Sequence, residues 1–283
     1  MKNKVFFSKK KYCYKNKNTL FFKIMKIALV GYGQMGHMIE LWSKKLGHEV
    51  VATVDTIATD AKYKVKSGDQ DALVQAITQS GAEGIIDFSH PSAVLDNIKA
   101  LLPTKLPLVV GTTGWNQHED MVSQWASSTG GTIIRSANFS VGVNLFYRIV
   151  LEAAKLFSDF EEYDRAIWEA HHTRKADSPS GTALEIAKRV MCSNPHKTEI
   201  VTDAFHDKPN PEQLHVSSTR IGSVPGTHTL FIDSSADTIE ITHRARSREG
   251  FACGAVRALE RLDSALKTGL LQPGKLYSME DLF

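Results

Sequence analysis

Cysteine is scarce in this 283-residue chain, which contains only Cys13, Cys192 and Cys253. Their spacing matches neither a disulfide framework nor a zinc motif, which indicates a reducing, cytoplasmic location. No apolar stretch is long enough to cross a bilayer, so we expect no membrane anchoring. We also expect no metal centre, because the neighbouring residues His171 and His172 would point in different directions on any helix or strand.

Acidic residues are absent from the first 24 positions, which contain eight lysines. Because the whole chain carries a net charge of +3, the other 259 residues carry −5. The lysine-rich segment lacks the apolar core of a secretory signal and the arginines of a transit peptide. Its charge would suit an arm that touches nucleic acid or a membrane surface. We instead expect residues 1–24 to be a basic extension, disordered or not normally translated, with neither partner.

A glycine-rich segment lies between two predicted strands near the start of the fold. The apolar strand Lys26-Ile-Ala-Leu-Val30 leads into Gly31-Tyr-Gly-Gln-Met-Gly36, then a helix, then a second strand that ends in Asp55. Glycines in this pattern let a dinucleotide pyrophosphate approach a helix N-terminus, and Asp55 lies where an adenosine ribose would bind. The motif therefore predicts a Rossmann-type dinucleotide site; a glycine turn in another α/β unit is the alternative.

Arginine is absent between Gly31 and Ile57, which bears on the choice of cofactor. A carboxylate at Asp55 accepts from the 2′-hydroxyl of NAD and repels the extra phosphate of NADP, and Thr56 adds no charge. Four lysines could compensate: Lys44, Lys45, Lys62 and Lys64. We therefore expect NADH to be the cofactor, with NADPH as the less favoured alternative.

Strand and helix patterns alternate from Asp69 to Phe139 and predict a doubly wound parallel sheet. Ligands of such sheets bind at the carboxyl ends of the strands. Three polar segments fall at predicted strand ends: Asp87-Phe88-Ser89, Gly111-Thr112-Thr113 and Ala137-Asn138-Phe139. Each segment alone is ordinary loop chemistry, but three in register indicate a binding site.

The pattern changes after Phe139, where one long helix over residues 141–158 precedes several strands. These strands predict a second α+β domain built on an open mixed sheet that could pair with another subunit. Its strand over residues 238–243 alternates cleanly, so we expect one packed face and one wet face. We expect residues 25–137, completed by 249–283, to form the dinucleotide-binding domain. Residues 138–248 then form the substrate-binding and oligomerisation domain.

The richest chemistry lies between Glu169 and Leu184, where two histidines, an arginine, a lysine and an aspartate precede Ser180-Gly181-Thr182. Ser180 or Thr182 can cap a helix there, and Gly181 lets an oxyanion approach the free backbone N–H groups. Cations beside a helix N-terminus are unfavourable unless an anion lies between them. The segment therefore predicts proton donors beside an anion site; an ordinary turn with surface histidines is the alternative.

Five motifs occur in the order typical of one enzyme family. They are Glu-Ala-His-His-x-x-Lys-x-Asp-x-Pro-Ser-Gly-Thr-Ala from Glu169, Gly-Thr-Thr-Gly from Gly111, Ala-Asn-Phe-Ser-Val-Gly-Val-Asn from Ala137, Arg220-x-Gly-x-x-x-Gly-x-His228, and Ile-Thr-His-x-Ala-x-Ser-Arg248. From Met25 to its end, the chain resembles the 4-hydroxy-tetrahydrodipicolinate (dihydrodipicolinate) reductase family of lysine and diaminopimelate biosynthesis. The family often has a longer glycine loop with an arginine where this chain has Gln34, which weakens any expectation of NADPH preference.

The resemblance implies an NAD(P)H-dependent oxidoreductase that acts on CH or CH2 groups, reduces 4-hydroxy-tetrahydrodipicolinate to tetrahydrodipicolinate, and assembles as a homotetramer. It implies that His171 is the acid/base residue and Lys175 the proton donor. The small dicarboxylate substrate would be held by His172, Ser180, Gly181, Thr182 and Thr113. The cofactor would be held by Gly31, Tyr32, Gly33, Gln34, Met35, Gly36, Asp55, Phe88, Gly111, Thr112, Thr113, Ser136, Ala137, Asn138 and Phe139.

Two other classes of function remain as alternatives. Another NAD(P)-dependent oxidoreductase is one, but a semialdehyde dehydrogenase needs a thiolate, and Cys192 and Cys253 lie in predicted helices. The Glu-Lys-Pro of sugar oxidoreductases is missing after the strand that ends in Gly-Thr-Thr. A dinucleotide-sensing regulator is the second alternative, and it would not need the His-His-x-x-Lys set.

Overall fold

The computed structural model describes residues 23–282. The predicted basic extension, residues 1–24, lies outside this range except for Lys23 and Ile24. The ammonium of Lys23 lies 2.7 Å from a carboxylate oxygen of Glu83 at the surface. Within residues 23–282, no helix combines the length and the hydropathy needed to cross a membrane.

The strands and helices are numbered in chain order. The strands are β1 Lys26–Val30, β2 Glu49–Asp55, β3 Tyr63–Lys64, β4 Gly84–Asp87, β5 Leu108–Val110, β6 Ile133–Arg135, β7 Asp164–His171, β8 Glu199–Val201, β9 Gln213–Arg220, β10 Thr227–Asp233, β11 Thr238–Arg244 and β12 Leu276–Ser278. The helices are α1 Gln34–Lys45, α2 Gln70–Gln79, α3 Val94–Leu101, α4 Glu119–Thr129, α5 Val141–Leu156, α6 Gly181–Ser193 and α7 Glu249–Thr268. Short 3-10 turns cover Leu102–Thr104, Asn116–His118 and Met279–Leu282.

The first sheet of the described chain has seven parallel strands in the order β12-β6-β5-β4-β1-β2-β3. Alternate residues of a strand point to opposite faces, and both faces of a parallel sheet are normally covered by helices. Ile27 and Leu29 of β1 accordingly lie in one apolar cluster with α1 and α7. Ala28 and Val30 lie in another with α2, α3 and α4. The predicted doubly wound Rossmann-type sheet is confirmed.

The second sheet of the described chain has the strand order β11-β10-β7-β9-β8. Strand β10 is antiparallel to β7 and β11, whereas β9 is parallel to β7 and β8, so the sheet is mixed, as predicted. Helices α5 and α6 pack on one of its faces. Their contacts there include Ile167, Val216 and Leu230, each of which is at most 1% exposed.

Strand β11 shows the expected alternation only in part, because it is an edge strand. Ile241 packs on the core of α5 and α6, whereas Ile239 on the same face is 36% exposed. The short strands β3 and β12 were not predicted at all. Each has two or three residues and is defined by pairing with β2 or β6, a long-range contact that leaves no periodicity in the sequence.

Candidate active site

The predicted glycine turn lies between β1 and α1, and its three glycines meet different surroundings. Gly31 has φ +86°, and a Cβ atom there would lie 2.3 Å from the carbonyl oxygen of Phe88. A Cβ on Gly36 would lie 2.5 Å from the carbonyl oxygen of Gly31. Gly33, in contrast, has open space beside it within 4 Å among the described residues. Packing therefore requires glycine at Gly31 and Gly36, while Gly33 leaves the backbone accessible to a ligand.

The N-terminus of α1 has the character of an anion site. Gly33 occupies the N-cap position and has no side chain to satisfy the free N–H groups, and the first turn contains no acidic residue. Those N–H groups and the helix dipole favour a bound anion. Tyr32 lies in the turn, where its hydroxyl is hydrogen-bonded to Glu40, and Met35 packs against the neighbouring apolar cluster. The turn therefore fits the pyrophosphate of a dinucleotide.

Asp55, at the end of β2, binds the backbone of the turn. One carboxylate oxygen accepts from the amide of Tyr32 at 2.7 Å, and the other accepts from Ile57 at 2.7 Å and Ala58 at 2.9 Å. Partial burial opposes ionisation, but these hydrogen bonds outweigh it and lower the pKa of the Asp55 carboxyl. A cavity of about 400 Å³ lies beside it, with Asp55, Lys66 and Phe88 among its lining residues. This cavity fits the adenosine half of a dinucleotide.

The buried carboxylate of Asp87, in one of the predicted strand-end segments, connects two strand ends, a role that the sequence did not indicate. Asp87, at the end of β4, is fully buried and accepts from the backbone and hydroxyl of Ser89, from the amide of Asn97 and from the hydroxyl of Thr112. Burial raises the pKa of Asp87, against the effect of these hydrogen bonds. Asp87 therefore fixes the loop that contains Phe88 relative to the loop that follows β5.

Those two loops bring several predicted cofactor residues together. A Cβ on Gly111 would lie 2.1 Å from the ring of Phe88, so only glycine fits there. The rings of Phe88 and Phe139 lie with their centroids 5.9 Å apart. Thr113, which was predicted to bind both substrate and cofactor, is exposed and lines neither this cavity nor the larger one described next.

A larger cavity, of about 1020 Å³, lies between the two sheets. Gln34, Ser136, Ala137 and Asn138 contribute to its lining from the first sheet. The predicted residues that line it from the second sheet are His171, His172, Lys175, Ser180, Gly181 and Thr182. Apart from Thr113, the structure thus gathers every predicted catalytic and substrate-binding residue in one cleft.

The N-terminus of α6 opens into this cleft. Ser180 is the N-cap, and its hydroxyl accepts from the amide of Ala183 at 3.2 Å. A Cβ atom on Gly181 would meet no other described residue within 4 Å, so a ligand can reach the backbone there. The helix dipole and the remaining N–H groups therefore offer a site for a carboxylate.

His171 ends β7 on the floor of the cleft and is 8% exposed. Its Nδ1 is hydrogen-bonded to Glu169, whose side chain is completely buried. The same Glu169 carboxylate accepts from Arg220 at 2.9 Å and from the amide of Ser180 at 3.2 Å. Burial lowers the pKa of His171, and the negative charge of Glu169 opposes this change. His171 is thus a neutral imidazole beside a fixed carboxylate.

A second buried histidine lies behind the first. The ring of His228 forms an edge contact with that of His171, at 5.1 Å between centroids, and its Nε2 lies 3.1 Å from the hydroxyl of Ser180. Burial, with a smaller contribution from repulsion by His171 when that ring is protonated, lowers the pKa of His228 to about 3. His228 is therefore neutral at physiological pH. The atoms of Glu169, His171 and His228 are close enough together to share a metal ion, but both Glu169 oxygens already have protein partners.

Lys175 also lines the cleft, with its side chain 24% exposed. Its ammonium is 2.7 Å from a carboxylate oxygen of Asp177. The hydrogen bond from Lys175 lowers the pKa of Asp177. The pair therefore holds a cationic group at the wall of the cavity.

Two family models match this chain almost from end to end. The model for the N-terminus of dihydrodipicolinate reductase matches residues 25–139, and the model for its C-terminus matches residues 142–283. This chain belongs to the dihydrodipicolinate reductase family. The family predicted from the sequence motifs is confirmed, and the chain is an oxidoreductase.

Curated relatives have the same family name. A 4-hydroxy-tetrahydrodipicolinate reductase of Christiangramia forsetii is 36% identical over 259 residues, which cover 92% of this chain and 99% of the relative. One of Archaeoglobus fulgidus is 34% identical over 91% of this chain and 99% of the relative. A solved dihydrodipicolinate reductase of Paenisporosarcina sp. TG-14, with dipicolinate bound, covers 92% of this chain and 100% of its own with a TM-score of 0.72. At 18% identity, this last likeness shows the fold.

Sequence reasoning assigned no role to several groups in this reductase-family cleft. The cationic side chains that line it besides Lys175 are Arg135, Arg174, Arg189 and Arg248. Two signals could have identified some of them. Glu185 and Arg189 follow Gly181 by four and eight positions, which places all three on one face of α6, and Arg248 ends a family motif.

Proposed function

We propose that this chain reduces 4-hydroxy-tetrahydrodipicolinate to tetrahydrodipicolinate in lysine and diaminopimelate biosynthesis, with NAD(P)H as the hydride source. The observation that carries this proposal is the cleft between the two sheets. One wall has the loop ends of a dinucleotide-binding sheet, and the other has His171, Lys175 and the N-terminus of α6. The names of the curated relatives and the cyclic dicarboxylate bound to the solved relative support the same reaction.

The substrate is a small ring with two carboxylates, so the cleft must hold negative charge. We assign one carboxylate to the N-terminus of α6, where His172, Ser180, Gly181 and Thr182 line the cavity. Thr113 lies outside the cavity and can join the site only if the two domains close on the ligand. Closure would also exclude water from the reacting atoms.

We assign proton transfer to two side chains of the domain built on the second sheet. Loss of water from the hydroxylated ring gives a conjugated imine. A nicotinamide held at the glycine turn would supply hydride to this ring, and Lys175 or His171 would supply the balancing proton. Lys175 carries the proton on its ammonium group. His171 presents Nε2, the ring nitrogen that is not bound to Glu169, and delivers a proton from it only after taking one up. General acid catalysis of this kind typically contributes roughly 10² to 10⁴ in rate.

NADH is the cofactor that we propose. Three of the four lysines that could compensate for Asp55 have other partners: Lys44 lies 2.6 Å from Glu40, Lys45 lies 3.9 Å from Glu249, and Lys62 donates to the carbonyl of Val51 at 2.8 Å. Lys64 does not line the cavity beside Asp55. Lys66 does line it and is exposed, which gives NADPH its best available contact. We therefore propose NADH with a secondary use of NADPH.

A homotetramer that forms through the second sheet is also part of the proposal. Ile167 of β7 and Leu230 of β10 face α5 and α6. The next residue along each strand, Trp168 and Phe231, therefore points to the opposite face of the sheet. Both are only half-buried, and the indole of Trp168 donates to the hydroxyl of Thr219 at 3.0 Å on that face. A face with aromatic side chains and satisfied polar groups is suited to a second copy of the chain. We place the assembly in the cytoplasm, where the unpaired thiols Cys192 and Cys253 remain reduced.

A steady-state assay tests the proposed reaction. Freshly generated 4-hydroxy-tetrahydrodipicolinate is added to the protein with NADH and NADPH in parallel, and loss of nicotinamide absorbance is followed. We expect turnover with both cofactors and a higher kcat/KM with NADH. Lack of turnover with either cofactor, from folded protein that binds NADH, would contradict the assigned substrate and leave the dinucleotide site standing.

A further inference from the structure

Glu169 and His171 lie two positions apart on β7, so their side chains share one face of the strand. This face is turned toward α6 and the cleft, and the side chain of Glu169 is completely buried beneath the imidazole. A buried carboxylate is unfavourable unless it is paired and hydrogen-bonded. The partners of Glu169 therefore indicate what it does.

The two carboxylate oxygens of Glu169 have different hydrogen-bond partners. One oxygen bonds Nδ1 of His171. The other accepts from Nη1 of Arg220 at 2.9 Å and from the backbone amide of Ser180 at 3.2 Å. Arg220 also donates to the carbonyl oxygens of Thr219 and Asp177, which fixes its guanidinium. The arginine balances the buried charge, so Glu169 stays ionised and accepts hydrogen bonds only.

An ionised carboxylate cannot donate, so the hydrogen in its contact with His171 must be on Nδ1. The neutral imidazole then has its lone pair on Nε2. Gly226 passes close to this atom, and a Cβ there would lie 2.9 Å from it, so glycine keeps the space beside Nε2 clear. His171 lines the cleft, and Nε2 is the one ring nitrogen that remains available to a ligand there.

We propose that Glu169, held by Arg220, is a positioning residue that fixes the tautomer and the ring orientation of His171, with Nδ1–H toward the carboxylate and Nε2 toward the substrate. The inference rests on the proposed function, in which His171 is the acid/base residue. When Nε2 takes up a proton, Glu169 stabilises the imidazolium from the other side of the ring. When Nε2 releases the proton, the carboxylate prevents the ring from flipping or changing tautomer.

A merely structural role is the competing explanation, because Glu169 also accepts from the amide at the start of α6. The variant Glu169→Gln distinguishes a positioning role from a merely structural one. The neutral isostere keeps an oxygen acceptor for that amide, but its NH2 group can donate to Nδ1 and so stabilise the wrong tautomer. Glu169→Asp retains the charge. Glu199→Gln is the matched control, since Glu199 is an exposed residue on β8 of the same sheet that contacts Gln213.

The kinetic test compares these three variants with the wild-type chain. We expect Glu169→Gln to lower kcat roughly 100-fold or more, while the NADH dissociation constant and the substrate KM change less than about threefold. Its pH profile should lose the acid limb that reports protonation of His171. The kcat of Glu169→Asp should be at least tenfold higher than that of Glu169→Gln. The proposal would be overturned if Glu169→Gln had the wild-type kcat. It would also be overturned if Glu169→Gln and Glu169→Asp lowered kcat equally and left the pH profile unchanged.

A measurement on the wild-type chain does not depend on turnover. The 15N NMR spectrum of histidine-labelled protein reports which ring nitrogen holds the proton, and the signals of His171 are assigned by their loss in His171→Gln. We expect a protonated Nδ1 and an unprotonated Nε2 at neutral pH, and a mixture of tautomers in Glu169→Gln. A protonated Nε2 in the wild type would refute the inference even if the enzyme is active. The expected tautomer in a protein that does not turn over the substrate would refute the proposed function alone.

Discussion

The backbone amide of Tyr32 donates to the carboxylate of Asp55 across 2.7 Å, so the glycine turn and the end of β2 are joined through one side chain. The other oxygen of Asp55 holds the amides of Ile57 and Ala58. Each carboxylate oxygen can accept two hydrogen bonds, and the oxygen bound to Tyr32 has capacity left for a ribose hydroxyl. Asp55 therefore shapes the turn and can also contact the cofactor.

Replacement of Asp55 should change cofactor preference. We expect Asp55→Ala to weaken the binding of NADH more than that of NADPH, because it removes both the ribose acceptor and the charge that repels a 2′-phosphate. Fluorescence titration with the two cofactors measures the ratio of dissociation constants. Asp55→Asn, which keeps an acceptor without the charge, should show a smaller loss of NADH affinity. Equal weakening of both cofactors in Asp55→Ala would count against a ribose contact.

Removal of Lys175 should separate cofactor binding from chemistry. We expect Lys175→Ala to lower kcat by roughly 10² or more, since the ammonium proton donor is lost, while NADH affinity stays within about twofold. Stopped-flow reduction and NADH titration provide the two values. Lys188→Ala is the matched control, because Lys188 is an exposed lysine on α6 outside the cleft lining. Normal kcat with weakened NADH binding would contradict the assignment.

His228 should make the stability of the protein depend on pH. Its pKa of about 3 in the folded chain lies below the usual 6.5, so the unfolded state binds one more proton between these values. The free energy of unfolding should therefore decrease as the pH falls from 6.5 toward 3, by up to about 1.4 kcal/mol per pH unit from this group. Urea unfolding measures the slope, and it should be shallower in His228→Asn. His206→Asn, at an exposed histidine, should keep the wild-type slope.

Asp87 should be required for stability. Asp87→Ala leaves the donors of Ser89, Asn97 and Thr112 without their buried acceptor, so we expect a loss on the order of 3 kcal/mol. Asp87→Asn should cost less, because it retains one oxygen acceptor. Urea unfolding of both variants gives the values, with Asp207→Ala in an exposed loop as the control. A loss below about 1 kcal/mol in Asp87→Ala would show that other acceptors replace it.

Phe231 tests the proposed assembly. A carboxylate on the open face of the second sheet would be desolvated in a subunit interface, so Phe231→Asp should convert the tetramer into smaller species. Light scattering coupled to size exclusion measures the mass. Ser235→Asp, in the exposed turn after β10, is the control and should stay tetrameric. A wild-type chain that elutes as a monomer would refute the assembly directly.

Much of this protein follows from its sequence by local rules. Gly31 and Gly36 have surroundings that admit no side chain, and such positions show in the sequence as glycines between a strand and a helix. Apolar periodicity predicts the long elements well: a long helix was expected over residues 141–158, and α5 covers Val141–Leu156. The segment from Glu169 to Thr182 contains the predicted proton donors and the helix cap within a few positions. The sequence by itself therefore determined the fold class, the family and most of the cleft.

The tertiary structure decided what depends on contacts between distant parts of the chain. Arg220 reaches Glu169 from another strand, 51 positions away, and His228 reaches Ser180 across 48 positions. Asp87 connects two loops that are separated by 25 residues. Burial also decides protonation, as the lowered pKa of His228 shows, and a residue's depth is not a property of its neighbours in sequence. Only the packed sheets create these distances and this low dielectric, and they alone give Glu169 its place beneath His171.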